Sequence, residues 1–235
     1  MIKWSQFEPQ NVAGDDARQT NAARIRLVLL NAIAAGALSA GARVKETQIG
    51  AALHVSRTPL REALSALRSE QILEYDGEGL RVRKLGWQDV RDLYDLRATL
   101  EGMAARQSAE KSSETERSII NALCVEEERM IAQNTQPEVL SLHNRRFHNA
   151  ILQSAGNHFL QDELSRLSRL TILLGHTVYT LPERLVAITQ EHQAINQAIG
   201  ASDGARAEEM MRRHLQNGLQ ARLTIMSLIQ GQELD

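Results

Sequence analysis

From residue 88 to 230 the apolar residues recur at helical spacing and nowhere alternate as they would in a strand. The breaks fall at "KSS", "NTQP", "AGN", "YTLP" and "ASDG", which predicts helices over 88–110, 114–133, 137–154, 158–177, 182–200 and 203–230. Stripes of this period are buried only against one another, so the stretch specifies an all-α helical bundle.

The preceding part reads differently. Apolar positions Ile25, Val28, Leu29 and Ile33 keep a helical period up to Gly36, after which "LSAGAR" is a turn. Glu46–Leu53 gives a short second helix, and His54 and Val55 a tight connection. Ser56 stands as N-cap of a third helix reaching Ser69, with Pro59 in its first turn, where a missing N–H costs nothing. "ILEYDGEGLRVRKL" then alternates on both sides of Asp76, Gly77, Glu78 and Gly79, the pattern of a β-hairpin. The expected fold is mainly α: a loose arm over 1–19, a winged helix-turn-helix domain over 20–84, and the helical domain over 88–230.

Net charge of -2 speaks against a polyanionic partner only until it is divided along the chain. Residues 20–85 carry ten Lys and Arg against six Asp and Glu, while the remainder carries 17 against 23. The basic surplus lies where the two short helices and the turn lie. Cys124, alone, excludes an internal disulfide and a thiolate metal cluster, and its neighbours "ALCVEEE" read as an ordinary helical surrounding. No apolar run approaches the ~20 residues that span a bilayer, and the polar start lacks the apolar core of a secretion signal. The expectation is a cytoplasmic protein without membrane contact.

Two short helices, a tight turn and a third helix place the third in the DNA major groove, its first turns nearest the base edges. Arg57, Thr58 and Arg61 occupy those turns. Arg57 and Arg61, four residues apart, share the face opposite Val55, Leu60, Ala63, Leu64 and Leu67. An arginine binds guanine with two hydrogen bonds or clamps a phosphate, and Thr58 suits a phosphate at the positive helix start. "LHVSRTPLREALSALRSEQILEYDGEGLRV", with "GALSAGARVKETQIGAAL" ahead of it, resembles the DNA-binding domain of the GntR family of bacterial transcription regulators over about residues 20–83. The resemblance implies a DNA operator as partner. It implies contact through Arg57, Thr58, Arg61 and Gly79, and more weakly through Thr47 and Arg43. A homodimer would place two recognition helices on two half-sites of a palindrome.

The helical domain aims polar groups at its own core. Arg97 lies among Val90, Leu93, Tyr94, Leu100 and Ala104; Asn144 and His148 share a stripe with Leu140, Phe147, Ile151 and Leu152. His192 continues Leu185, Ile188, Ile195 and Ile199, and His214 continues Ala207, Met210, Met211, Gly218 and Ala221. Unpaired polar groups in a core cost several kcal/mol, so these face one another. Three imidazoles and an amide oxygen suit a divalent metal ion, Zn²⁺ or Ni²⁺ first. His54, His143 and His158 read as surface or packing residues.

"DLYDLRATLEGMAARQSA", "NRRFHNAILQSAGNHFL" and "EHQAINQAIGASDGARAEEMMRRHL" resemble the FCD effector domain of the FadR-type branch of that family, over about residues 88–228. The resemblance implies a metal held by an Asp and three His, with a small carboxylate completing its shell. The matching positions are Asn144, His148, His192 and His214, so a neutral amide stands where the family most often has Asp. Arg97 then either grips the acid with its planar fork or forms a salt bridge with Glu101 or Glu191. His176 and Tyr179, ending a neighbouring helix, are further candidates for the effector. Two other readings stay open: a regulator sensing a larger ligand such as an acyl-CoA without metal, and a His-metal hydrolase. Against the hydrolase, no nucleophile or base motif accompanies the histidines. Glu191 is the one tempting base, and it diverges from the adjacent His192 by about 100 degrees of helix.

Overall fold

A computed structural model describes residues 2–8 and 20–232. The chain forms two compact units, Met1–Leu85 with Ser168–Gly175, and Gly86–Leu167 with His176–Asp235.

In the first unit, α1 (Asn21–Ala34) begins at Thr20, whose hydroxyl accepts the Ala23 N–H at 3.2 Å. Its buried stripe is Ile25, Val28, Leu29, Ala32 and Ile33. α2 (Glu46–Leu53) ends on His54 in the left-handed conformation, φ +52°. That reversal starts α3 (Arg57–Ser69) within three residues. α3 lays Leu60, Ala63, Leu64 and Leu67 against α1, and Arg26 holds Glu70 through two bonds of 2.8 and 2.7 Å. Ser56 occupies the N-cap position of α3, but its side chain makes no capping bond. The expected hydroxyl cap is therefore absent, and the first-turn N–H groups are left without that partner.

Strands β1 (Leu73–Tyr75) and β2 (Leu80–Val82) pair antiparallel, with Leu73 opposite Val82. Gly77 and Gly79 take φ of +87° and +147°, which the tip requires and a side chain would strain. The expectation of a loose N-terminal arm needs correction where the arm is described. Residues 1 and 9–19 lie outside the described residues, but Trp4–Phe7 forms a 3-10 turn with both Trp4 and Phe7 buried. Asn31 of α1 donates to the Phe7 carbonyl at 3.1 Å. Two aromatic rings are too few to show a period, yet large enough to seat a turn.

In the second unit, α4 (Trp87–Lys111) lies along α9 (Gly204–Gln232), while α5 (Glu114–Ala132) packs on α6 (Pro137–Ser154) and α8 (Pro182–Gly200). A Cβ on Gly102 would stand 3.0 Å from Cγ of Arg212, so that glycine allows α4 to approach α9 closely. Phe147, Ile151, Ile195, Ile199 and Met211 fill the centre among small residues such as Ala105 and Ala109. The helix expected over 158–177 is shorter: α7 (His158–Leu170) gives way to a 3-10 turn at Thr171–Leu174 and to Gly175 with φ +70°. A second 3-10 turn, Val178–Thr180, leads to Pro182 at the first position of α8. The α-helix ends at Leu170 despite the continuing apolar period, and Gly175, at a positive φ that glycine tolerates, then turns the chain.

Candidate functional site

Arg57, Thr58, Arg61 and Thr47 are all exposed. Arg61 Nε lies 3.1 Å from Glu46 Oε2, linking α3 to the start of α2 at the surface, a weak restraint in water. Arg43 donates to the Glu78 carbonyl at 3.0 Å and pairs with the Glu78 carboxylate, so its guanidinium braces the hairpin tip beside Gly79. Arg81 is held by Glu74 and Asp76 at 3.0 and 3.2 Å.

The inward polar residues of the helical unit converge. The ligating atoms of His148 (α6), His192 (α8) and His214 (α9) lie within 4.8 Å of one another. Each ring is fixed from behind by a carboxylate: His148 Nδ1 to Glu101 at 2.6 Å, His192 Nδ1 to Glu127 at 2.7 Å, and His214 Nδ1 to Glu191 at 2.7 Å. An ionised carboxylate only accepts, so each Nδ1 carries a proton, and a ring that is neutral turns an Nε2 lone pair to the centre. Burial lowers the pKa of His192 and of His214, the latter to about 3, so both rings are neutral at physiological pH. Burial works to raise the Glu101 and Glu191 carboxyls. Arg97 and His148 outweigh it at Glu101, as hydrogen bonds from His214 and Arg184 do at Glu191, and both are held at about 2.

The Nε2 atoms of His148 and His214 stand 3.2 Å apart, and that of His192 is buried without a hydrogen-bond partner. Metal–imidazole bonds of about 2.0 to 2.1 Å set neighbouring nitrogens about 3.0 to 3.4 Å apart; His148 and His214 stand at that spacing, and His192 completes a trio within 4.8 Å. A carboxylate behind each ligating imidazole is also what metal sites use to fix the tautomer and raise basicity. The donor set therefore fits Zn²⁺ or Ni²⁺. Phe147 stacks on His192 with ring centroids 4.2 Å apart, backing the cluster with apolar surface.

Beside the histidines is a cavity of about 60 Å³ whose wall includes Asn144, His148, His214, Arg97, Arg184 and Tyr179. Asn144, one turn before His148, thus stands with two of the three imidazoles. Arg97 reaches the wall but is engaged: its Nε donates to Glu101 at 2.8 Å and its guanidinium lies over the Tyr94 ring. Arg97 thus forms the expected salt bridge with Glu101 while its side chain also lines the cavity. Tyr179 is buried and donates to Glu127 at 2.9 Å, which joins it to His192 through one carboxylate. Burial and the Glu127 charge push its phenol well above the ordinary value. His176 is the correction here: its side chain is exposed and off the cavity wall, and its backbone carbonyl accepts from Arg222. Gly175 turns the chain before His176, so the residue loses the phase that a helix to 177 would have given it.

Sequence reasoning missed Glu127 and Arg184, placed Glu101 on Arg97 without its bond to His148, and misplaced Glu191. Glu191 pairs with His214 rather than with its neighbour His192, and Arg184 grips it at 2.8 and 2.7 Å. A buried acid inside an acidic run such as "VEEERM" has no signal of its own. Only its phase with Ile120 and Cys124, buried on the same helix, could have singled out Glu127.

Comparison with known proteins covers both units. Residues 21–82 match the model for "Bacterial regulatory proteins, gntR family", and residues 92–217 match the FCD domain. The "HTH-type transcriptional repressor GlaR" of Escherichia coli (strain K12) is 31% identical over 166 residues, 67% of this chain and 75% of that one. The "Probable D-xylose utilization operon transcriptional repressor" of Paenarthrobacter nicotinovorans is 30% identical over 203 residues, 84% of this chain and 87% of that one. Among solved structures, E. coli McbR/YncC superposes with a TM-score of 0.74 at 20% identity, covering 88% of this chain and 99% of its own, a likeness of fold. With a helix-turn-helix in one unit, a buried histidine cluster beside a small cavity in the other and both domain models matched, the chain belongs to the GntR family, in its FCD-bearing branch, and is a ligand-responsive transcription regulator rather than an enzyme.

Proposed function

We propose that this regulator is a cytoplasmic homodimer that binds a palindromic operator and senses a small carboxylate at a metal ion in its helical domain. His148, His192 and His214 hold the ion with Asn144, and the acid completes its shell. Arg97 steadies the acid from the cavity wall, with Arg184 and Tyr179 beside it. Arg57, Thr58 and Arg61 contact the operator, Thr47 adds a surface contact, and Gly79 brings the wing close to the backbone with Arg43 bracing it.

What carries this reading is the trio of imidazoles with inward Nε2 atoms, each held through Nδ1 by its own carboxylate. A structural core histidine is satisfied by one partner, whereas here three imidazoles from three helices bring their ligating atoms within 4.8 Å of one another. With the neutral Asn144 in the set, the ion keeps more positive charge than an Asp would leave it, which favours an anionic ligand. A cavity of about 60 Å³ disfavours the acyl-CoA alternative. Elemental analysis of tag-free protein tests the reading: about one divalent ion per chain is expected, none in His192→Ala. Metal-free wild-type protein that responds fully to its effector overturns it.

A further inference from the structure

Three glycines sit on the helices of the second unit against other helices, and two have an evident packing reason. A Cβ on Gly102 would meet Arg212 Cγ at 3.0 Å, and one on Gly204 would meet Glu110 Oε1 at 2.9 Å. Gly218 is different. Its φ lies outside the left-handed range, and a Cβ there meets only Tyr94 Cε1, at 3.4 Å, an ordinary contact. Neither backbone nor packing requires glycine, and glycine inside a long helix is less stable than alanine.

What remains is the cavity. Gly218 lies one turn beyond His214 on α9, and both line it, across from Tyr94 and beside Leu215. The wall is polar at the histidines, Arg97, Arg184 and Asn144, and apolar at Ile188, Val178 and Leu215. An acid whose carboxylate meets the polar side chains leaves its tail to the apolar ones and to the space at Gly218. An apolar cavity of about 150 Å³ takes benzene, so one of about 60 Å³ takes only a few non-hydrogen atoms, and one methyl group is a large share of it.

We infer that Gly218 sets the length of the acid this regulator accepts: its missing side chain is the room for the ligand's tail, kept at the expense of helix stability. The ligand class is thereby narrowed to short-chain carboxylates, on the reading of the cavity proposed above.

Gly218→Ala in the full-length, metal-loaded protein is the test, with formate, acetate, propionate, butyrate and valerate as probes and calorimetric titration as readout. Without acid, Gly218→Ala is expected to melt at or above the wild-type temperature and to hold the metal with unchanged affinity. With acid, it should bind the shortest members within about twofold of wild type. It should lose at least tenfold for the longest acid that wild type binds, so that the cutoff moves down by one carbon. An identical cutoff and identical affinities in the two proteins overturn the inference while leaving the acid site standing. A melting temperature well below wild type overturns it too, because packing would then explain the glycine. If no acid binds wild-type protein while the metal does, the carboxylate reading itself fails, and the inference with it.

Discussion

At the scale of single residues, the carboxylates behind the imidazoles matter as much as the imidazoles. Glu127→Gln keeps the shape of the side chain but removes the charge and turns one of the two oxygens that accept from Tyr179 and His192 into a donating amide, so it can no longer serve both. Metal affinity should fall about 10- to 100-fold, measured by competition with a chromophoric chelator, while the circular dichroism of the fold is retained. Acid should act on the metal-free protein with a definite sign. His214 takes a proton near pH 3 when folded against 6.5 ordinarily, because burial penalises its charged form. Between those values the unfolded chain binds a proton that the folded chain refuses, so stability falls as pH drops below about 6.5. The Glu101 carboxyl, held at about 2, works in the same direction at lower pH. Urea midpoints in EDTA should therefore decline from pH 7 to 5, and His214→Asn should flatten the decline. Cys124 is the inert counterpart: burial pushes its thiol up to about 12, and its sulfur lies 3.7 Å from the His192 carbonyl. Iodoacetamide at pH 8 should leave native protein unlabelled and label it only in denaturant.

At the scale of elements, the recognition helix and the bundle helices answer to different forces. α3 exposes Arg57 and Arg61 at its start and buries Leu60, Ala63, Leu64 and Leu67 along its other face. Stability and DNA binding are thus separable within thirteen residues. Arg61→Ala should cost on the order of 1 to 3 kcal/mol of operator binding if it reads a base, with little change in melting temperature. Wild-type affinity should fall steeply with salt through counterion release. An Arg57→Ala/Arg61→Ala double variant that still shifts operator DNA in a gel would remove α3 from the interface. The helix pattern exposed this element fully, since a stripe of leucines facing away from two arginines needs no tertiary knowledge. It failed at the end of α7, where the apolar period continues through Leu173 and Leu174 although the α-helix has already given way to a 3-10 turn at Thr171, before Gly175 reverses the chain. The misplacement of His176 follows from that one turn.

At the scale of the whole molecule, the expected outcome is linkage between the metal-bound acid and the operator. A coupling of about 1 to 3 kcal/mol changes operator affinity about 5- to 150-fold, and thermodynamics makes the effect reciprocal. His192→Ala should lose metal and effector response yet keep operator binding, because the two sets of residues lie in different units. Arg97→Ala should keep the metal and lose the acid's effect; Asn144→Asp should tighten the metal and weaken the acid. Titration of operator affinity against effector in the three variants separates these roles. A single winged helix reads too few base pairs for selectivity, so the active species should sediment as a dimer at micromolar concentration, free and on DNA.

The order of elements, the winged helix ahead of the helices and the inward histidines were all legible from the sequence, because periodicity, caps and turn residues are local properties. His148, His192 and His214 announced themselves as polar breaks in apolar stripes, and Arg97 and Asn144 likewise. Which acid stands behind which imidazole was not legible. Glu101, Glu127 and Glu191 come from three helices, and Glu191 serves a histidine 23 positions away and not the one beside it. Neither was the brace of Arg184, nor the Trp4–Phe7 turn seated on α1. Such pairings depend on where separate helices cross, and a helix's own sequence sets its faces but not its neighbours. Packing brought those faces together, and only then did three ordinary glutamates become the supports of one site.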